Sequence, residues 1–257
     1  MNEQAVMKRL QEAGINSPRF EAMQLCRALS GEALAHAVER RCAGYPLQYI
    51  LGEWDFYRET YEVSEDCLIP RADTELLVEK AVQNLPTGAR FLDLCTGSGC
   101  VAISTLCARP DTTAVAVDLF AATLELAGRN RGRNGVTQRL ELVQADVLLP
   151  PDGRFERASW DAILSNPPYI RTQVVPTLQR EVGYEPRAAL DGGHDGLAFY
   201  RAILDGWHTL LKPGGSFFFE IGYDQGEALA ALAAERGYTA TVYRDLGGND
   251  RVVHIQK

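Results

Sequence analysis

No apolar run in this sequence approaches the roughly 18 uninterrupted residues that a membrane span requires, so no membrane association is expected. Histidine is scarce: four in 257 residues, and His36, His194, His208 and His254 stand isolated, as surface or structural side chains do. The six cysteines (Cys26, Cys42, Cys67, Cys95, Cys100 and Cys107) form no CxxC pair and have no histidine nearby. That spacing excludes a zinc signature and suits small apolar side chains kept reduced in a cytoplasmic protein. An excess of basic charge is also missing, since 26 Lys and Arg face 34 Asp and Glu, for a net −8. Residues 1–45 hold six basic and five acidic side chains, net +1, so residues 46–257 carry −9. Tight nucleic-acid binding rests on Lys and Arg neutralising phosphates, so no direct nucleic-acid partner is expected. Arg129, Arg131, Arg133 and Arg139 read as a solvated helix end. Repeats and low-complexity tracts are absent. Met1 to Leu10 mixes Glu3, Lys8 and Arg9 with its apolar residues, unlike a signal-peptide core, so a cytoplasmic chain is expected, a monomer by default.

What is present is ordinary globular composition, 46% hydrophobic and 23% charged. Residues 1–45 carry three helical patterns, Glu3–Ala13, Ser17–Leu29 with proline in its first turn, and Glu32–Arg41, and predict a small helical docking domain. Residues 46–70 are rich in aromatic and β-branched residues and predict a β-hairpin linker, its arms Trp54–Tyr57 and Thr60–Val63 flanking Arg58-Glu59. Residues 71–257 predict the main domain. An amphipathic helix, Leu76–Asn84, opens it. From Arg90 strand and helix alternate, the pattern of a parallel, doubly wound α/β sheet. The expected strands are Arg90–Cys95, Thr113–Asp118, Leu140–Asp146, Trp160–Asn166, Ser216–Gly222, Tyr238–Arg244 and Arg251–Ile255. Helices are expected at Val101–Ala108, Ala121–Arg133, Ala198–Leu211 and Gln225–Arg236.

Asp93-Leu94-Cys95-Thr96-Gly97-Ser98-Gly99 follows the first of these strands and precedes a helix. Glycines there let the backbone pass close under a ligand, and the helix start presents free N–H groups. Asp118 ends the next strand, placed for ribose hydroxyls. Gly97 to Ala102 also fits the GxGxxA dinucleotide fingerprint, so an NAD-dependent oxidoreductase stays open on this loop alone. Asp93, placed for a ligand ammonium, and Asp146, placed for an adenine amino group, shift the reading toward S-adenosylmethionine.

Asn166-Pro167-Pro168-Tyr169 follows the apolar strand containing Ala162-Ile163-Leu164, and in an open α/β sheet this loop and the glycine loop face one crevice. Two prolines fix two φ angles and remove two donors, leaving rigid carbonyl acceptors. With the Asn166 side chain as a further acceptor and Tyr169 as a flat wall, the set suits a planar NH2 group. Such a nitrogen is a poor nucleophile until its N–H bonds are gripped and its lone pair is aimed, which is catalysis by positioning.

At these residues the chain resembles known families. Asp93–Gly99 is similar to the cofactor motif of class I methyltransferases, and Asn166–Tyr169 to the motif of amino-group methyltransferases. Leu68–Glu75, Glu185–Gly193 and Gly247–Val252 further resemble the bacterial N5-glutamine methyltransferases of peptide-chain release factors. The resemblance covers nearly everything after Tyr45. It implies methyl transfer from S-adenosyl-L-methionine, leaving S-adenosyl-L-homocysteine, to a glutamine in the Gly-Gly-Gln loop of a release factor. By motif match, Asp93, Cys95, Thr96, Gly97, Ser98 and Gly99 cradle the methionine part, Asp118 holds the ribose, and Asp146 and Val147 border the adenine. Asn166 and the Pro167 carbonyl hold the glutamine amide, with Pro168 and Tyr169 shaping its slot; Asn166 also borders the cofactor. Cys95 stands where the family usually has glycine, and Ala72 where it usually has proline. A ribosomal-protein glutamine methyltransferase has nearly the same motifs, and a base methyltransferase shares Asn166–Tyr169 alone.

Overall fold

A computed structural model describes residues 1–257. Nine strands form a two-stranded hairpin and a seven-stranded sheet of order β5-β4-β3-β6-β7-β9-β8. The sheet strands are β3 (Arg90–Leu94), β4 (Thr113–Asp118), β5 (Leu140–Gln144), β6 (Trp160–Ser165), β7 (Leu211–Glu220), β8 (Thr239–Arg244) and β9 (Asp250–Gln256). Strand order turns back between β3 and β6, and it is at the carboxyl ends of such a pair that open α/β sheets bind ligands. Alternation along each strand builds two cores. Leu92, Leu94, Val115 and Val117 face a cluster of 22 buried residues, while Phe91, Ala114 and Ala116 face another of 21. Helices α5 (Glu75–Asn84) and α6 (Cys100–Ala108) pack on the second face, and α7 (Ala121–Arg133) follows β4; α8 (Ala198–Gly206) and α9 (Gly226–Ala234) pack on the first face.

The doubly wound sheet is as expected, except that one strand departs from parallel pairing. β9 runs antiparallel to both β7 and β8. Only the turn Asp245–Asn249 joins β8 to β9, and a parallel pair needs a crossover of a dozen residues or more. The helix expected to reach Leu211 ends at Gly206, passes through a 3-10 turn at Trp207–Leu210, and becomes strand at Leu211. Lys212 to Gly215 loop out of register between the Trp160–Leu211 and Ala162–Ser216 pairs, where Pro213 has no donor for the ladder.

The amino-terminal helices α1 (Glu3–Glu12), α2 (Pro18–Ala28) and α3 (Gly31–Cys42) share a small core built on Val6, Leu10, Leu25, Leu34 and Val38. A fourth helix, α4 (Leu47–Leu51), occupies the start of the segment expected to be hairpin only, and its Leu47 joins that core. The hairpin follows as β1 (Glu53–Phe56) and β2 (Glu59–Glu62), turning at Tyr57-Arg58, one residue earlier than expected. The helical unit is tied to the sheet domain through Arg41. That guanidinium is buried, pairs with Glu21 of α2, and reaches Glu181 at 2.7 Å in the long loop after β6. No helix is long and apolar enough to cross a membrane.

Candidate active site

A crevice of about 570 Å³ opens at the carboxyl ends of β3, β4 and β6. Of the residues expected in the site, Asp93, Cys95, Thr96, Gly97, Ser98, Asp118, Asp146, Val147, Asn166 and Pro168 line it, whereas Gly99, Pro167 and Tyr169 do not. Its outer wall comes from Asp66–Thr74 and Pro186–Asp191, brought across from distant parts of the chain.

Strand-end carboxylates hold the glycine loop. Asp118 accepts from the Gly97 N–H at 3.0 Å through one oxygen and from the Phe120 N–H at 3.2 Å through the other. Each carboxylate oxygen has a second lone pair, so Asp118 can still accept from a ligand. Burial pushes its pKa up against these two N–H bonds. Asp93, 1% exposed, accepts from the Thr96 hydroxyl at 2.6 Å and the Ala102 N–H at 3.2 Å. Its pKa is pushed up to about 7, chiefly by burial. It therefore staples the loop as well as bordering the crevice. Asp146 accepts from the Leu148 N–H at 2.9 Å. The Ser98 N–H donates to no acceptor within the chain, and the opening N–H groups of α6 lie next to it. Cys95 has φ 60°, the left-handed region that disfavours a side chain and favours glycine.

The second loop is held from elsewhere. Asn166 Nδ2 donates to Thr74 Oγ1 at 3.2 Å, while Asn166 Oδ1 and the Pro167 carbonyl accept nothing from within the chain. Tyr169 turns its hydroxyl away from the crevice to Glu220 at 3.3 Å, and Gln225 Nε2 donates to its carbonyl at 3.0 Å. Two glycines press on the backbone here: a Cβ on Gly192 would lie 2.7 Å from the Pro168 oxygen, and one on Gly196 would lie 2.4 Å from the Tyr169 oxygen. Glu185, 6% exposed, accepts from the Ile69 N–H at 3.0 Å and pairs with Arg71, behind a turn whose Pro186 and Arg187 line the crevice.

Thr74, Glu220 and Gln225 escaped the reading of the sequence as site residues. Thr74 lies in a segment that stood out by resemblance. Glu220 carried a signal of its own, a carboxylate ending the aromatic run Phe217-Phe218-Phe219, since an acid in a buried strand needs a reason. The isolated histidines do not contribute to the crevice, and no group of His, Cys, Asp or Glu is arranged to hold a metal.

The doubly wound sheet, with its glycine loop and its crevice at the β3–β6 turning point, has the α/β architecture that binds ligands outside the carboxyl ends of its strands. Residues 71–190 match the family model described as methyltransferase small domain. A methyltransferase from Pyrococcus furiosus shares the fold, with a TM-score of 0.57 and 20% identity over 76% of this chain and 87% of that one. A release factor glutamine methyltransferase of Moorella thermoacetica is 38% identical over 95% of this chain and 93% of its own. Another, from Geobacter sulfurreducens, is 40% identical over 91% of this chain and 78% of its own. The chain belongs to the release factor glutamine methyltransferase family.

Proposed function

We propose that this protein transfers a methyl group from S-adenosyl-L-methionine to the side-chain amide nitrogen of the glutamine in the Gly-Gly-Gln loop of peptide-chain release factors. One observation carries the reading of the site: Asn166 Oδ1 and the Pro167 carbonyl stand as unfilled acceptors on a rigid loop beside the crevice. Two acceptors of this kind match the two N–H bonds of a primary amide.

The cofactor's chemical parts fit the groups available. Asp118 keeps lone pairs for ribose hydroxyls, the free Ser98 N–H and the start of α6 favour a carboxylate, and the buried Asp93 lies where an ammonium would favour its ionised form. The crevice volume falls within the usual range of roughly 300–1,000 Å³ for such ligands. When bound, S-adenosyl-L-methionine supplies an electrophilic methyl group. The chain's own contribution is positional. Asn166 and Pro167 grip the N–H bonds, favour pyramidalisation, and aim the lone pair, while the crevice walls exclude water from the reacting atoms. On taking the methyl group the amide nitrogen still bears both hydrogens and becomes cationic; an amide protonated on nitrogen is a strong acid, so one of the two protons passes to solvent without a dedicated base.

The test is incubation with methyl-labelled cofactor and purified release factors whose loop glutamine is intact or changed to alanine. Label on the intact factor alone is the expected result. Label on neither, in a preparation that binds the cofactor, overturns the proposal and turns the search to ribosomal proteins and then nucleic acids.

A further inference from the structure

The turn after β7 holds a side-chain amide whose oxygen and both hydrogens are spent on the loops around the crevice. Gln225, 4% exposed, occupies the amino-terminal cap of α9, a position that ordinarily takes Ser, Thr, Asp or Asn. Its side chain makes no capping bond. Instead Oε1 accepts from the Gly222 N–H at 2.9 Å, while Nε2 donates to the Tyr169 carbonyl at 3.0 Å and the Gly196 carbonyl at 3.2 Å. The Gln225 N–H donates in turn to the Gly222 carbonyl at 3.0 Å. Three segments therefore meet at one buried amide: the Asn166–Tyr169 loop, the strap of residues 190–196, and the turn that closes β7.

We propose that Gln225 is a positioning residue for methyl transfer, clamping the acceptor loop and the crevice wall to the sheet as one body. The proposal rests on the amide-methylation reading above. Loop and wall are already zipped together: the Ile170 N–H donates to the Leu190 carbonyl at 3.0 Å, and the Gly192 N–H to the Ile170 carbonyl at 2.8 Å. Ala188, Ala189 and Asp191 of that wall line the crevice. Gln225 fastens the pair to the end of β7. The placing of the Asn166 and Pro167 acceptors is thus set in part by a residue that does not itself line the crevice.

The clamp has one orientation. Turning the amide over would set its NH2 against the Gly222 N–H and its oxygen against two carbonyls. The neighbouring glycines let the backbone come this close: a Cβ on Gly196 would lie 2.7 Å from Nε2, and one on Gly222 would lie 3.2 Å from Oε1. Two other ties reach the same end of β7, the Tyr169 hydroxyl to Glu220 at 3.3 Å and Arg171 to Asp224 at 2.7 Å. The first is a single long bond and the second is half exposed, so the buried amide with its three bonds carries more of the hold. Removing it takes a donor from each of the Tyr169 and Gly196 carbonyls and frees the loop to move. A displacement of about 1 Å in a reacting group can cost about 100-fold in rate.

The experiment uses the full chain and two variants. Gln225→Met keeps the length and removes all three bonds; Gln225→Glu keeps an oxygen for Gly222 but cannot donate to both carbonyls. Each is expected to lower kcat by about 10-fold or more, with the cofactor Kd changed less than about 2-fold. A second readout needs no turnover. The Asn166 side-chain amide resonance in NMR spectra, identified by its loss in Asn166→Ala, is expected to shift in both variants. The Asn130 side-chain amide, identified by its loss in Asn130→Asp, donates to the Ser98 carbonyl of the glycine loop at 2.9 Å and is expected to stay in place. A wild-type kcat in Gln225→Met, with label still reaching the release factor, overturns the clamp and leaves the function standing. Cofactor affinity falling in step with kcat, or both resonances moving together, also overturns it, because Gln225 would then support the whole fold rather than the acceptor side. An Asn166 shift without an Asn130 shift, in a protein whose wild type labels no release factor, upholds the clamp on the loop and overturns the functional reading instead.

Discussion

The two halves of the crevice are built in opposite ways. The glycine-loop half, proposed above as the cofactor half, is held by near neighbours: Asp93 fixes Thr96 and Ala102, and Asp118 fixes Gly97 and Phe120, all within one βαβ unit. The Asn166–Tyr169 half, proposed as the acceptor half, is held from far away in the chain. Asn166 leans on Thr74, Tyr169 on Glu220 and Gln225, and the loop backbone on Gly192 and Gly196. A loop that only has to present N–H groups to a ligand can be shaped by its own strand ends. A loop that must hold two acceptors in one orientation needs rigid support on every side, and that support comes from other elements. The contrast predicts that damage to the acceptor half lowers turnover while cofactor affinity survives, and that damage to the cofactor half does the reverse.

The sharpest break is Asn166→Ala, which removes a gripping acceptor and is expected to lower methyl transfer by about 100-fold or more. Calorimetry on the same variant should find the cofactor Kd changed only a few-fold; a collapse of cofactor affinity would merge the two halves. Next comes Gly196→Ala. Its Cβ meets the Tyr169 oxygen at 2.4 Å in a backbone of φ 77°, so the loop must shift. A displacement of that kind is expected to cost about 10- to 100-fold in kcat, read in single-turnover assays at saturating cofactor.

In the other half, Asp118→Ala removes the proposed ribose acceptor and the support of Gly97, and is expected to raise the cofactor Kd by about 10-fold. The rate at saturating cofactor should change much less, and an unchanged Kd would remove Asp118 from the site. The smallest effect concerns Cys95. Replacing it with glycine relieves a left-handed backbone, with an expected gain of about 1 kcal/mol in stability. Thermal unfolding with and without cofactor checks it; a lower Tm would show that the cysteine side chain's packing outweighs the strain of its backbone.

Most of the cofactor half was legible in the sequence, because its interactions are short-range and follow the order of strand, loop and helix. Asp93, Asp118 and Asp146 each lie within two residues of a strand's end, and each holds the turn after it. The acceptor loop was legible as a motif, but Tyr169 illustrates the limit. The motif suggested a ring walling the substrate slot, whereas the hydroxyl points away to Glu220 and the residue stands outside the crevice lining. Antiparallel β9 was missed for a related reason: alternating apolar residues mark a strand without stating its direction, which here follows from the short Asp245–Asn249 connection.

By itself the sequence determined the α/β alternation, the helical amino-terminal unit, the glycine loop with its acids and the Asn166–Tyr169 motif. Each of these is written in local spacing, and backbone geometry leaves local spacing few alternatives. Tertiary structure alone decided which way the Asn166 amide faces, that Gly192 and Gly196 brace the loop, and that Arg41 fastens the helical unit to the loop after β6 through Glu181. Those contacts join residues dozens to more than a hundred positions apart. They depend on how twisted strands and helices pack in three dimensions, so no local pattern encodes them.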